Sequence, residues 1–205
     1  MRAVIVGGWL EHMQRRTSLS LRLAAVLLSA GAVLSACSAP AAPADPSAAL
    51  SFAQVEAMSA AEAIDALEAV PVAERATDYS ASVRPDTLLL TAGDGREVGK
   101  PLPEDSFHLS VAPYESSTHE CFFHNLTSCR GELAGRTFEV TVVDGAGATI
   151  FDETLVAADN GFVGFWLPRG IEATLTVRAG DEVAVSSIAT GPEDPTCLTD
   201  LKLQA

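Results

Sequence analysis

Thr137-Phe138-Glu139-Val140-Thr141-Val142-Val143 alternates polar and apolar side chains and runs into the turn Asp144-Gly145-Ala146-Gly147. Successive strand residues point to opposite faces, so Phe138, Val140 and Val142 face a core while Thr137, Glu139 and Thr141 face water. Further runs follow at short spacing: Thr149 to Val156, Phe162 to Leu167 after the turn Asp159-Asn160-Gly161, Ile171 to Arg178, Glu182 to Ile188 and Leu198 to Leu203. Short runs separated by turn chemistry in this way predict a β-sandwich, with Phe165 and Trp166 in its packing.

Upstream the pattern changes. Ala81 to Arg84, Thr87 to Thr91, the turn Gly93-Asp94-Gly95, Arg96 to Lys100 and Phe107 to Ala112 read as strands. Before them, Ser51 with Gln54 and Ser59 with Glu62 each match a capping box, Ile64, Leu67 and Val70 recur on one helix face, and Pro71 stops the pattern. The fold class expected is α+β: a short N-terminal helical segment and β-hairpin region over residues 51–105, then a C-terminal antiparallel β-sandwich-like domain over residues 106–205.

The N-terminus has the order of a secretory signal. Arg15, Arg16 and Arg22 precede an apolar run from Leu23 to Leu34, and the tetrad Leu34-Ser35-Ala36-Cys37 ends it. The run is shorter than the roughly 20 residues that span a bilayer. A small-residue tetrad closed by cysteine is the lipoprotein form of a cleavage site, so residues 1–36 are expected to be removed and Cys37 to carry lipid. Residues 37–50 are rich in Ala, Pro and Ser and read as a flexible tether. The expected location is extracytoplasmic, anchored to the cell membrane by lipid alone.

The whole chain of 205 residues carries a formal charge of −14. The leader takes Arg2, Arg15, Arg16 and Arg22 with it against Glu11, which makes the remainder more acidic still. Such a charge opposes phosphate backbones and excludes nucleic acid as a partner. It favours solubility and raises the local concentration of cations.

Chemistry concentrates in His119-Glu120-Cys121-Phe122-Phe123-His124-Asn125-Leu126-Thr127-Ser128-Cys129, two thiols and two imidazoles in one short stretch. Cysteine sulfur and imidazole suit copper or zinc, whereas carboxylate clusters suit calcium or magnesium. Past Cys37 the chain has one methionine, Met58, so a copper site would draw its sulfur from cysteine. Cys121 and Cys129 would lie roughly 27 Å apart in a strand and about 12 Å apart in a helix, so a shared site requires the segment to turn back. One helical turn would let Cys121 and His124 share a face. Cys197, in Asp194-Pro195-Thr196-Cys197, reaches them only through folding.

An odd cysteine count beyond Cys37 leaves two readings open. One is a structural disulfide from Cys121 or Cys129 to Cys197 with a spare thiol, closing a loop that contributes about 4 kcal/mol; the other is a metal or redox site. A thiol-disulfide oxidoreductase is a third possibility of a different class, against which stands the absence of Cys-x-x-Cys and of a βαβ pattern. No Gly-x-Ser-x-Gly, phosphate-binding Gly loop or His-Glu-x-x-His occurs. His108 lies in an expected strand and reads as structural.

Leu109-Ser110-Val111-Ala112-Pro113-Tyr114, Thr118 to Cys129, Gly131-Glu132-Leu133 and Asp194-Pro195-Thr196-Cys197-Leu198 together resemble the CueP family of periplasmic copper-binding proteins, from about residue 55 to the end. The resemblance implies copper as the bound metal, Cys121, Cys129 and Cys197 as its sulfur ligands, and His119 and His124 as auxiliary ligands. It also implies copper tolerance, reduction of Cu(II) by thiols rather than conventional enzymatic turnover, delivery to a receiving protein such as a superoxide dismutase, and a homodimer formed through the N-terminal part. The lipobox and tether depart from the better-known members.

Overall fold

The computed structural model describes residues 49–205; the signal segment 1–36, Cys37 and the tether as far as Ala48 lie outside them. Both expected capping boxes close. Ser51 Oγ accepts from Gln54 N–H while Ser51 N–H donates to Gln54 Oε1 at 2.9 Å, opening α1 (Phe52–Ala57). Ser59 and Glu62 do the same for α2 (Ala60–Glu68). Each reciprocal pair satisfies two N–H groups that the first turn leaves unpaired. Ala60, Ala63, Ile64 and Leu67 are the buried residues of α2, at the spacing of one helix face. The helix ends at Glu68, just short of Val70, and Pro71 leads into a 3-10 turn at Val72–Glu74.

That face covers an antiparallel meander of β1 (Tyr79–Val83), β2 (Thr87–Ala92) and β3 (Glu97–Pro101), in that order. Tyr79, Ala81, Val83, Leu88 and Leu90 form its share of a small core. Leu126, from the cysteine-bearing loop, is fully buried in the same core.

The larger core lies between two sheets. One is β10-β4-β7, with β4 at Ser106–Val111, β7 at Val163–Pro168 and β10 at Cys197–Leu198; the other is β6-β5-β8-β9, with β5 at Thr137–Asp144, β6 at Thr149–Val156, β8 at Glu172–Ala179 and β9 at Glu182–Ala189. Phe138, Val140 and Val142 point inward as the alternation requires, meeting Phe107, Leu109, Val111, Phe165 and Leu167. Strand β4 is buried almost throughout, because His108 and Ser110 on its other face are covered too. Trp166 packs against the smaller core and meets the His108 ring edge-on at 4.8 Å. Burial pushes the His108 imidazole down to about 4, which keeps it neutral. The α+β class holds.

The last expected strand is corrected. Instead of Leu198 to Leu203, only Cys197 and Leu198 form a strand, and it runs parallel to β4, with Cys197 opposite Ser110 and Leu198 opposite Val111. Ala112 N–H still donates to the Leu198 carbonyl, but the next donor on that edge, Tyr114 N–H, reaches the Leu201 carbonyl, so the register slips by one residue and only single bridges follow, Tyr114 with Lys202 and Val183 with Gln204.

Leu126 anchors the cysteine loop to the smaller core. Leu126→Ala is expected to cost about 2–5 kcal/mol, read as a lowered urea midpoint with unchanged slope.

Candidate metal centre

The loop from His119 to Cys129 is held by backbone pairing rather than by regular structure of its own. Val83 N–H donates to the His124 carbonyl at 2.8 Å and Leu126 N–H to the Ala81 carbonyl at 2.9 Å, so His124-Asn125-Leu126 extends the edge of β1. The chain then reverses: Ser128 and Cys129 N–H groups both reach the Asn125 carbonyl, and Asn125 Oδ1 accepts from Thr127 N–H. The local turn therefore spans Asn125 to Cys129, and the reversal that a shared site requires is made there. Past it, Gly131 crosses Gly161 so closely that a Cβ on Gly161 would stand 2.6 Å from the Gly131 backbone, and Gly161 takes φ +78°.

Thr196 clamps the other end. Its hydroxyl donates to the Val83 carbonyl at 2.6 Å and accepts from His124 N–H at 3.1 Å, while Thr196 and Cys197 N–H groups both reach the Phe122 carbonyl. These bonds set Cys197 beside the loop, and Cys121 and Cys197 form a disulfide with Cα atoms 5.6 Å apart. Among the described residues Cys129 is the free thiol, its Sγ 3.5 Å from Cys121 Sγ and 3.3 Å from the Asn125 backbone nitrogen.

All five residues singled out in the sequence converge in two overlapping groups. His124, Cys129 and Cys197 offer ligand atoms within 4.8 Å of one another, and so do His119, Cys121 and Cys129. Burial grades across them: His124 and Cys197 are 0% and 1% exposed, Cys121 and Cys129 half-buried, His119 exposed. His108 belongs to neither group.

Glu68, unmarked in the sequence, completes the centre. Its Oε1 lies 2.7 Å from His124 Nε2, its Oε2 accepts from Asn160 Nδ2 at 3.0 Å, and Arg75 stands 3.6 Å away. With Nε2–H committed to the carboxylate, Nδ1 faces the sulfurs, 3.8 Å from Cys197 Sγ. Burial lowers the His124 imidazole's affinity for a proton, but Cys129 and Glu68 beside it outweigh burial and the net shift is upward. Burial likewise raises the Cys129 thiol and the Glu68 carboxyl, yet His124 carries both below their ordinary values. The only signal for Glu68 in the sequence was its place at the end of a helix, which carries no hint of a distant imidazole.

The donors fit a soft ion. Two ligands each about 2.3 Å from one ion stand at most about 4.6 Å apart, close to the span of both groups, and sulfur with neutral imidazole suits copper. Fold and donor set together describe a domain equipped for a soft metal. Residues 62–202 match the family described as periplasmic copper-binding protein CueP. The crystal structure of S.CueP is 38% identical, with a TM-score of 0.67 over 72% of this chain and 90% of that chain. No curated protein matches the chain significantly. The chain belongs to the CueP family of periplasmic copper-binding proteins, and copper is its metal.

Removing the carboxylate tests the buried pair. Glu68→Gln is expected to cost about 3 kcal/mol at pH 6. Because the folded carboxyl titrates below its ordinary value of 4.5, the stabilisation is present above that value and lost as pH falls through the folded one. Urea midpoints of the two proteins should therefore converge on acidification below pH 4.5.

Proposed function

We propose that this protein captures copper outside the cytoplasm with Cys121, Cys129 and Cys197 as sulfur ligands and His124 and His119 as flanking ligands, reduces Cu(II) and passes Cu(I) on. The observation that supports this reading is the convergence of three sulfurs and two imidazoles, with Cys129 shared by both donor groups. Reduction balances within the site: two thiolates, those of Cys121 and Cys197, give one electron each to two Cu(II) ions and join as a disulfide, leaving two Cu(I). Cys129 stays reduced as a thiolate donor between His124 and His119. Restoring the dithiol takes two electrons from an external reductant. The recipient is a copper-receiving protein, for which a superoxide dismutase is the candidate carried by the family resemblance.

Titration with Cu(I) under a competing chelator tests the ligand set. The triple variant Cys121→Ser, Cys129→Ser, Cys197→Ser should lose Cu(I) binding, and Glu68→Gln should weaken it about 10–100-fold; a triple variant as tight as the parent removes the assignment. Anaerobic Cu(II) added to fully reduced protein should consume two thiols for every two Cu(I) formed, and constant thiols would leave binding without reduction.

The anchor is proposed from the lipobox alone. Intact protein should sediment with membranes, and Cys37→Ser should release it to the soluble fraction; equal partition of the two would remove the lipid.

A further inference from the structure

We propose that the disulfide of this protein migrates: Cys129 attacks Cys121 and displaces Cys197, so that a single oxidised protein interconverts between a Cys121–Cys197 and a Cys121–Cys129 form. This goes beyond copper binding, needs no metal, and stands independently of Cu(II) reduction.

The geometry carries it. Thiol-disulfide exchange requires a sulfur within reach of a disulfide sulfur, and Cys129 Sγ is 3.5 Å from Cys121 Sγ, held there by the Asn125 N–H at 3.3 Å. The two ends of the bond are not equivalent. Cys197 Sγ has His124 Nδ1 at 3.8 Å, a group able to accept or donate a proton as the sulfur leaves. Cys121 Sγ instead faces the Phe123 carbonyl oxygen at 3.7 Å, which gives no support to a departing sulfur anion. Attack at Cys121 with departure of Cys197 is therefore the favoured direction, since exchange is faster when the leaving sulfur is better stabilised.

The step balances without an outside oxidant or reductant. An electron pair on Cys129 sulfur forms the new bond to Cys121, and the pair of the old bond leaves on Cys197 sulfur. The proton lost from Cys129 passes to Cys197 by way of His124, whose ring lies within 4.8 Å of both sulfurs. One disulfide and one thiol are present before and after.

What changes is position. The Cys121–Cys197 form has its remaining thiol half-buried at Cys129 and one sulfur of its disulfide, Cys197, 1% exposed beside Ala112 and Phe162. In the exchanged form both disulfide sulfurs come from half-buried residues, while the thiol moves inside, next to His124. Exchange thus brings the oxidised pair to the surface and keeps a sulfur donor on the buried imidazole.

The test uses the full chain carrying Cys37→Ser, which keeps the fourth sulfur out. Oxidised protein is incubated at neutral pH without copper or added thiol, quenched in acid to freeze exchange, digested with pepsin and its disulfide peptides identified by mass spectrometry. Both the Cys121–Cys197 and the Cys121–Cys129 peptides are expected, in a ratio independent of protein concentration, on the seconds-to-hours scale of disulfide reshuffling. Cys129→Ser should lose the second peptide entirely, and Cys197→Ser should close Cys121–Cys129 while keeping the parent's far-ultraviolet circular dichroism. The proposal is overturned by the Cys121–Cys197 peptide alone at every time from minutes to a day, or by a second peptide that appears only in urea or only at high protein concentration.

Discussion

Two residues of parallel pairing hold the site together. Cys197 opposite Ser110 and Leu198 opposite Val111 bring the end of the chain to a loop that lies 76 residues earlier at Cys121. That pairing and the Phe122 carbonyl, which accepts from the Thr196 and Cys197 N–H groups, together fix the third sulfur. Thr196 makes the placement specific. Its hydroxyl ties Val83 of the meander to His124 of the loop, while its carbonyl accepts from Ser110 N–H of the sandwich. One residue is thus bonded to three segments that meet nowhere else in sequence, and the sulfurs converge where those segments do.

A buried imidazole imposes the second constraint. His124 is fully enclosed against Phe162, and an enclosed ring nitrogen without a partner is costly. Glu68 answers one nitrogen, and the sulfurs are left for the other. The carboxylate needs neutralising in turn, and Asn160 and Arg75 supply a hydrogen bond and a positive charge. Each of these partners comes from a different part of the chain: α2, the segment after it, and the turn before β7. The helical N-terminal part is therefore more than a cover for the meander, since its last helical residue sets which nitrogen of His124 faces the sulfurs.

The elements with local causes were legible in the sequence. Ser51 and Ser59 with their partners three residues on marked both helix starts, and the alternation around Phe138, Val140 and Val142 marked the inward face of β5. The five donors were legible as a composition, since few other side chains present soft or borderline atoms at such density. Three features were not. The parallel direction of β10 depends on which strand has a free edge, and nothing in Thr196-Cys197-Leu198 records that. Shortening of the last strand depends on a one-residue slip of register between Ala112 and Tyr114 of its neighbour, which only tertiary structure reveals. The choice of Cys121 over Cys129 as the partner of Cys197 depends on the turn at Asn125, which carries Cys129 back beside the disulfide rather than into it.

The grading of donors from surface to interior has a consequence for which copper ion each part suits. His119 is exposed and borderline in character, and imidazole is a good ligand for Cu(II), which keeps its higher charge best where water still screens it. Deeper in, Cys197 and His124 are enclosed, and an enclosed site disfavours net charge. With the disulfide reduced, a single thiolate there would neutralise Cu(I) fully and Cu(II) only by half. Softness and burial consequently act in the same direction, and both favour the lower oxidation state more strongly with each step inward. Cys129, half-buried, is the one sulfur common to the two donor groups.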